Sequence, residues 1–327
     1  MSFLLLGEDE IRQTVSLTDA IEAVEKVFIA SAEGRMNLPA AFALGLPDVN
    51  GSVQVRGTYL EEAPYYVIKV ENSFQDNPTI NLPVQSEMTM VFDAATGFPA
   101  AMLYDHGYLT RIRAGATGAI AAKYLANPEL KRVAIIGSGK QAYMQLKMLK
   151  LVRDVKNVVV WGRSPMNVDT YARRLIEEYD FNIEIALSVQ EAVHNADLII
   201  TTTASERPLV KAEWLKPGVH INAVGSNSPT KQELYPAVLD LADVVVTDKL
   251  IQSIMMGEIY HALDKCIITE ENVQGELGDL IIGKITGRTA PNQITVADLT
   301  GRTMQDFALA VLALEKALFL GLGRRIQ

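Results

Sequence analysis

With 327 residues, 49% of them apolar and 21% charged, the chain exceeds one compact core and has the balance of a two-domain globular protein. A net charge of -9 excludes nucleic acid and anionic membranes as partners, since phosphate surfaces demand clusters of Lys and Arg that do not occur here; a small anion in a local basic pocket stays open. The single cysteine, Cys266, excludes internal disulfides and thiolate metal clusters and points to a reducing, cytoplasmic compartment.

The apolar opening Met1 to Leu6 has no basic start and no small-residue cleavage site, so it reads as part of the fold rather than a signal peptide. Glu8, Asp9 and Glu10 after it read as a solvated turn. Leu17, Ile21, Val24 and Phe28 are spaced as one face of a helix over 16–33, started by Ser16 and closed by Gly34. Strand-like runs follow at Ala41 to Leu46, Ser52 to Tyr59, Tyr65 to Val70 and Glu87 to Asp93. The closely placed turn signals between them predict an antiparallel sheet. From Thr110 a helix rich in Gly and Ala is predicted up to Asn127-Pro128, its small side chains permitting close backbone packing.

Beyond Pro128 strands and helices alternate: Arg132 to Ile136, Gln141 to Val152, Asn157 to Trp161, Val168 to Tyr179, Ile183 to Ala186 and Leu198 to Thr202. Further strands are predicted at Val219 to Val224, Val244 to Thr247 and Ile294 to Asp298. This is the pattern of a doubly wound parallel sheet. The expected fold is therefore α/β: a Rossmann-type domain over 114–302, and an α+β domain over 1–113 to which the apolar last helix, within 303–327, returns. That helix carries Glu315 and Lys316 and is too short to cross a bilayer.

Gly137-Ser138-Gly139-Lys140-Gln141-Ala142 sits between a buried strand and a helix, as a dinucleotide-binding turn requires. Gly137 permits the bend, Gly139 lets a pyrophosphate approach the backbone, Ala142 keeps the helix near the strand, and the helix N-terminus favours the anion. At the end of the next strand, where NAD enzymes hold an acid for the ribose, the chain has Trp161-Gly162-Arg163-Ser164. Arg163 and Ser164 suit a 2′-phosphate, which favours NADP(H), with NAD(H) as the alternative. His106, His194, His220 and His261 have no paired spacing, so no metal site is expected.

Together with this turn, the segments Ile68 to Asn72, Phe92 to Gly97, Leu109 to Ala116, Ala223 to Leu234, Gly275 to Gly278 and Asp298 to Gly301 resemble the ornithine cyclodeaminase and mu-crystallin family along nearly the whole chain. The resemblance implies a homodimer whose discontinuous first domain binds substrate, and hydride chemistry at a carbon beside a carboxylate. It implies substrate contacts by Lys69 and Arg113, the latter also near the cofactor, and cofactor contacts by Ser86 and Lys231; Thr202, Val224 and Gly225 follow predicted strand ends, where a dinucleotide would lie. Lys69, read among apolar neighbours on its strand, is expected to have a lowered pKa and to exchange protons near neutrality.

Two positions depart from the family pattern. Ala41 stands where a clamping Arg is usual, and Arg56 on the next strand is expected to restore that charge. Asn227 replaces the usual catalytic Asp, and an amide takes no proton at neutral pH. The resemblance with these departures implies an NAD(P)H-dependent reductase of small 2-imino acids, or dehydrogenase of the corresponding 2-amino acids. The alternatives are a cyclodeaminase-type lyase that recycles NAD and a non-catalytic NADPH-binding crystallin-like protein.

Overall fold

In the computed structural model, which describes residues 2–327, the chain divides into two units, Met1–Arg113 with Thr303–Gln327, and Ala114–Arg302. Met1, part of the apolar opening, lies outside the described residues.

The first unit is built on strands β1 (Phe3–Gly7), β2 (Met36–Asn37), β3 (Phe42–Leu46), β4 (Gly51–Leu60), β5 (Tyr65–Phe74), β6 (Gln85–Asp93) and β7 (Pro99–Tyr104). They lie in the order β1-β7-β6-β5-β4-β2, with β3 also on β4 and the C-terminal strand Arg324–Ile326 beside β1. The expected antiparallel pairing holds from β4 to β7, but β1 runs parallel to β7, so the sheet is mixed. Asn50 closes the turn before β4 with a φ of 47°, a conformation that Asn adopts more readily than most residues. Glu8, Asp9 and Glu10 are not a solvated turn: they open helix α1 (Glu8–Thr14), where carboxylates complement the helix dipole. Helix α2 (Leu17–Ala32) is capped by Ser16, whose hydroxyl accepts from the Asp19 amide at 3.1 Å. The C-terminal helix Thr303–Leu320 packs on α2 and over β4 and β5. It covers the face to which β5 turns Val67 and Lys69, since alternate residues of a strand share a side.

Helix α3 (Tyr108–Leu125) begins in the first unit and continues into the second. The second unit holds β8 (Val133–Ile136), β9 (Asn157–Trp161), β10 (Asn182–Ile185), β11 (Leu198–Thr201), β12 (His220–Ala223), β13 (Val244–Thr247), β14 (Gly275–Glu276) and β15 (Thr295–Asp298). Their order is β10-β9-β8-β11-β12-β15-β13-β14, and every pairing is parallel. The order reverses direction between β8 and β11, which is where such sheets open a crevice beyond their strand ends. Val133, Ile135, Val158 and Val160 feed one apolar core and Ala134, Ile136, Val159 and Ile221 the other, so the sheet is buried on both faces. Gly115 of α3 lies so close to helix α4 (Lys140–Val152) that a Cβ there would sit 2.8 Å from Met144 Cγ, the close approach that its small residues predict. Among the described residues no helix is long and apolar enough to cross a membrane.

Candidate functional site

In the first unit, β4 and β5 pair so that Arg56 stands directly opposite Lys69. The Lys69 ammonium is 2% exposed and lies 2.8 Å from Glu87, 2.9 Å from Asp306 and 3.3 Å from Glu71; it also donates to Thr110 Oγ1. Arg113, near the end of the first unit's part of α3, donates from Nε to Asp306 Oδ1 at 3.0 Å and from Nη1 to Gln305 Oε1 at 3.0 Å. Arg56 meets Glu71 at 3.2 Å. Burial opposes the charge of Lys69, but Asp306, Glu71 and Glu87 outweigh it, so its pKa rises above the ordinary lysine value. The expectation of a lowered pKa therefore fails. The neighbours of Lys69 are acids brought from β6 and the C-terminal helix as well as from β5 itself, and they hold it as a permanent cation. The same cations hold the Asp306 carboxyl below its ordinary range against a large burial penalty.

Three cations, Arg56, Lys69 and Arg113, thus face three acids, Glu71, Glu87 and Asp306. Two acid oxygens of this cluster, Glu87 Oε1 and Asp306 Oδ2, are buried and accept no hydrogen bond from the protein. Ser86, at the exposed start of β6, receives a hydrogen bond from Asn72 at 3.4 Å. Ala41 is exposed and lies just before β3.

In the second unit, Gly137 adopts a φ of 120°, and a Cβ there would meet Thr202 Oγ1 at 2.6 Å. Only glycine fits that bend. At Gly139 the N-cap of α4 carries no side-chain hydrogen bond, and nothing lies within 4 Å of where a Cβ would be. Free amides at a helix start, an open backbone approach and the buried Ala142 fit a dinucleotide pyrophosphate. Lys140 and Gln141 open the helix, and Ser138 is half-buried.

Arg163 is exposed in the turn after β9, whereas Ser164 uses its hydroxyl to cap helix α5 (Pro165–Glu178). Val168 and Ser138 crowd Gly162 so closely that a Cβ there would lie 2.8 Å from Val168 Cγ2 and 3.0 Å from Ser138 Oγ. Thr202 donates its amide to Ile136 at 2.9 Å, and Val224 donates to Thr201 at 3.0 Å, so the segments after β8, β11 and β12 are tied together. Exposed Asn227 accepts from Lys231 Nζ at 2.8 Å, and burial lowers the Lys231 pKa while Glu233 raises it. His220 is fully buried between Thr295 and Asn222, and His261 bonds the Lys231 carbonyl.

Reading the sequence missed Asp306, Glu87, Glu71, Thr110 and Gln305. A usable signal existed for two of them. Glu71 is two residues from Lys69 on the same strand face. Asp306 is the one acid in the first turn of a helix whose next eight residues are all apolar.

A family model for the ornithine cyclodeaminase/mu-crystallin family matches residues 3–319. An uncharacterized cyclodeaminase of Sinorhizobium fredii is 38% identical over 96% of this chain and 95% of its own. Among solved structures, an archaeal alanine dehydrogenase dimer with bound NAD superposes with a TM-score of 0.94 at 34% identity, covering 100% of this chain and 99% of the other. The Thermococcus litoralis Delta(1)-pyrroline-2-carboxylate reductase in complex with NADH and L-proline gives 0.93 at 28% identity, covering 99% and 100%.

Proposed function

Because the chain belongs to the ornithine cyclodeaminase/mu-crystallin family, we propose that it is a nicotinamide-dependent oxidoreductase interconverting a small 2-imino acid and the corresponding 2-amino acid. The observation that carries this reading is the charge-balanced cluster around Lys69, with two buried acid oxygens left without partners. A zwitterionic amino acid adds no net charge to such a cluster, so it need not be accompanied by a proton or counter-ion. Lys69, Arg113 and Arg56 supply donors for its carboxylate, and Glu87 and Asp306 supply acceptors for its nitrogen.

When bound at the Gly137 turn, the dinucleotide supplies or takes up the hydride at C2 of the substrate. Lys69, held charged, orients the carboxylate and is not the group that exchanges the proton. That proton belongs at the substrate nitrogen, where Glu87 receives it at Oε1 during oxidation, while Asp306, held ionised between Lys69 and Arg113, only accepts a hydrogen bond. A protonated imine brings its own proton to reduction, so Asn227 in place of Asp is compatible with this chemistry. A cyclodeaminase needs a base for several further proton transfers, and Asn227 provides none.

Exposed Arg163, with no acid at the end of β9, supports NADP(H). The NAD and NADH held by the two similar structures support NAD(H). Phe42, Leu44, Val49, Ile80 and Leu82, all exposed in the first unit, support a homodimer, the state named for the alanine dehydrogenase.

The test is a panel of 2-oxo acids with ammonia or methylamine, plus pyrroline-2-carboxylate, read as loss of NADH or NADPH absorbance. Net oxidation of the coenzyme is expected, and Arg163→Ala should weaken NADPH use at least fivefold while sparing NADH. Ammonia release from ornithine with no net coenzyme change would replace this reading by the lyase one. No turnover on any of these substrates would refute it.

A further inference from the structure

Glu233 is fully buried in the second unit, and its carboxylate gathers two strand ends. Oε1 accepts from the Thr203 amide and from Thr203 Oγ1 at 2.7 Å; Oε2 accepts from Thr201 Oγ1 at 2.6 Å and from the Gly225 amide at 2.8 Å. Thr201 ends β11, Thr203 follows it, and Gly225 follows β12. The fit is close: a Cβ on Gly225 would run into the Thr203 carbonyl and sit 2.6 Å from the Glu233 carboxyl carbon. Glu233 is itself held from behind, because its backbone amide and that of Leu234 donate to Glu258 at 2.7 and 3.0 Å. Glu258 lies in the first turn of the helix Gly257–Asp264, whose Ile259 amide donates to Asp298 at the end of β15 at 3.0 Å.

In a sheet of this order the adenosine ribose is read at the end of β9, on one side of β8. The other half of a dinucleotide therefore extends over β11 and β12, on the opposite side. We propose that Glu233 is a positioning residue for the nicotinamide half of the coenzyme: it fixes the β11 and β12 termini at the spacing that half requires. This rests on the dinucleotide reading above.

The site needs an accepting oxygen on both arms of the carboxyl. Each oxygen already faces one backbone amide, and neither amide can turn away. Whichever way a glutamine amide is placed, its NH2 group points at an N–H. Glu233→Gln must therefore displace one of the two loops although its size is unchanged.

The experiment measures binding of NADH, NADPH and ADP to the full-length wild type, Glu233→Gln and Thr201→Val, alongside thermal unfolding. ADP probes the adenosine and pyrophosphate positions alone. Glu233→Gln should weaken the better-bound reduced coenzyme about tenfold or more while changing ADP binding less than twofold. Thr201→Val, which removes one hydroxyl donor, serves as the readout if the Gln variant does not fold; it should weaken the coenzyme about threefold with the same sparing of ADP. Equal loss of ADP and coenzyme, or coenzyme binding within twofold of wild type in the folded variant, overturns the proposal. If wild type binds ADP and neither coenzyme, or none of the three, the dinucleotide reading itself fails, and that is distinguishable because it appears before any substitution.

Discussion

Replacing Asp306 by Asn tests whether the Lys69 cluster is held together by charge. Asp306 Oδ1 accepts from Lys69 Nζ at 2.9 Å and from Arg113 Nε at 3.0 Å, with its side chain 3% exposed. At an effective dielectric of about 20, each pair at such a distance is worth about 5 kcal/mol before desolvation is counted. Stripping one partner from a buried pair costs about 3–5 kcal/mol net, because the charge left behind stays dehydrated. Lys69 would keep Glu87 and Glu71, and Arg113 would keep Gln305, so the lower end applies. Asp306→Asn should thus lose about 3 kcal/mol in urea unfolding, equivalent to a fall of roughly 6–12 °C in Tm. The substrate KM should rise by about tenfold or more, with coenzyme affinity unchanged, since the two cations that orient the substrate lose their common anchor. A loss below about 0.5 kcal/mol together with an unaltered substrate KM would refute the reasoning.

Arg56→Ala should raise the substrate KM about tenfold, the cost of one charge-assisted hydrogen bond, without changing coenzyme affinity; unchanged substrate KM means that Arg56 does not stand in for the Arg absent at position 41. Asp298 gives a pH signature: burial lifts its carboxyl from an ordinary 3.8 to about 7. The unfolded group ionises from about pH 4 while the folded one keeps its proton until about 7, so the folded state binds more protons in that window and stability falls as pH rises through it. Unfolding free energies of wild type and Asp298→Asn, measured by urea titration, should accordingly diverge by up to about 3 kcal/mol between pH 5 and pH 7, in favour of the variant at the higher pH. Parallel curves would mean that Asp298 is ionised throughout.

The parallel sheet was legible because most of its strands are short, largely apolar runs that alternate with helical segments. Asn157 to Trp161 and Val244 to Thr247 are found with the bounds read from sequence. Strand β1 was not, because a five-residue apolar opening carries no alternation that tells a strand from a helix. Strand β14 has two residues and leaves no pattern at all. The Gly137 turn was legible for a different reason: its chemistry is local, fixed by a positive φ and an open approach that glycine alone permits.

The Lys69 site is a contrasting case, and its pKa shows why. Along β5 the lysine has tyrosine, valine and isoleucine around it, and by burial alone its charge should be weakened. What reverses the sign comes largely from elsewhere in the chain: Glu87 from β6, and Asp306 from a helix more than two hundred residues away in sequence. Electrostatic character at a buried position is a sum over spatial neighbours, and proximity along a strand samples few of them. Glu233 obeys the same rule with shorter loops. Its neighbours Lys231, Gln232 and Leu234 suggest a surface turn, yet the amides and hydroxyls that bond its carboxyl belong to the ends of two central strands. Both sites place a titratable group where solvent cannot compensate it, so each depends on partners supplied by the tertiary fold, and a substitution at either should be felt by several segments at once.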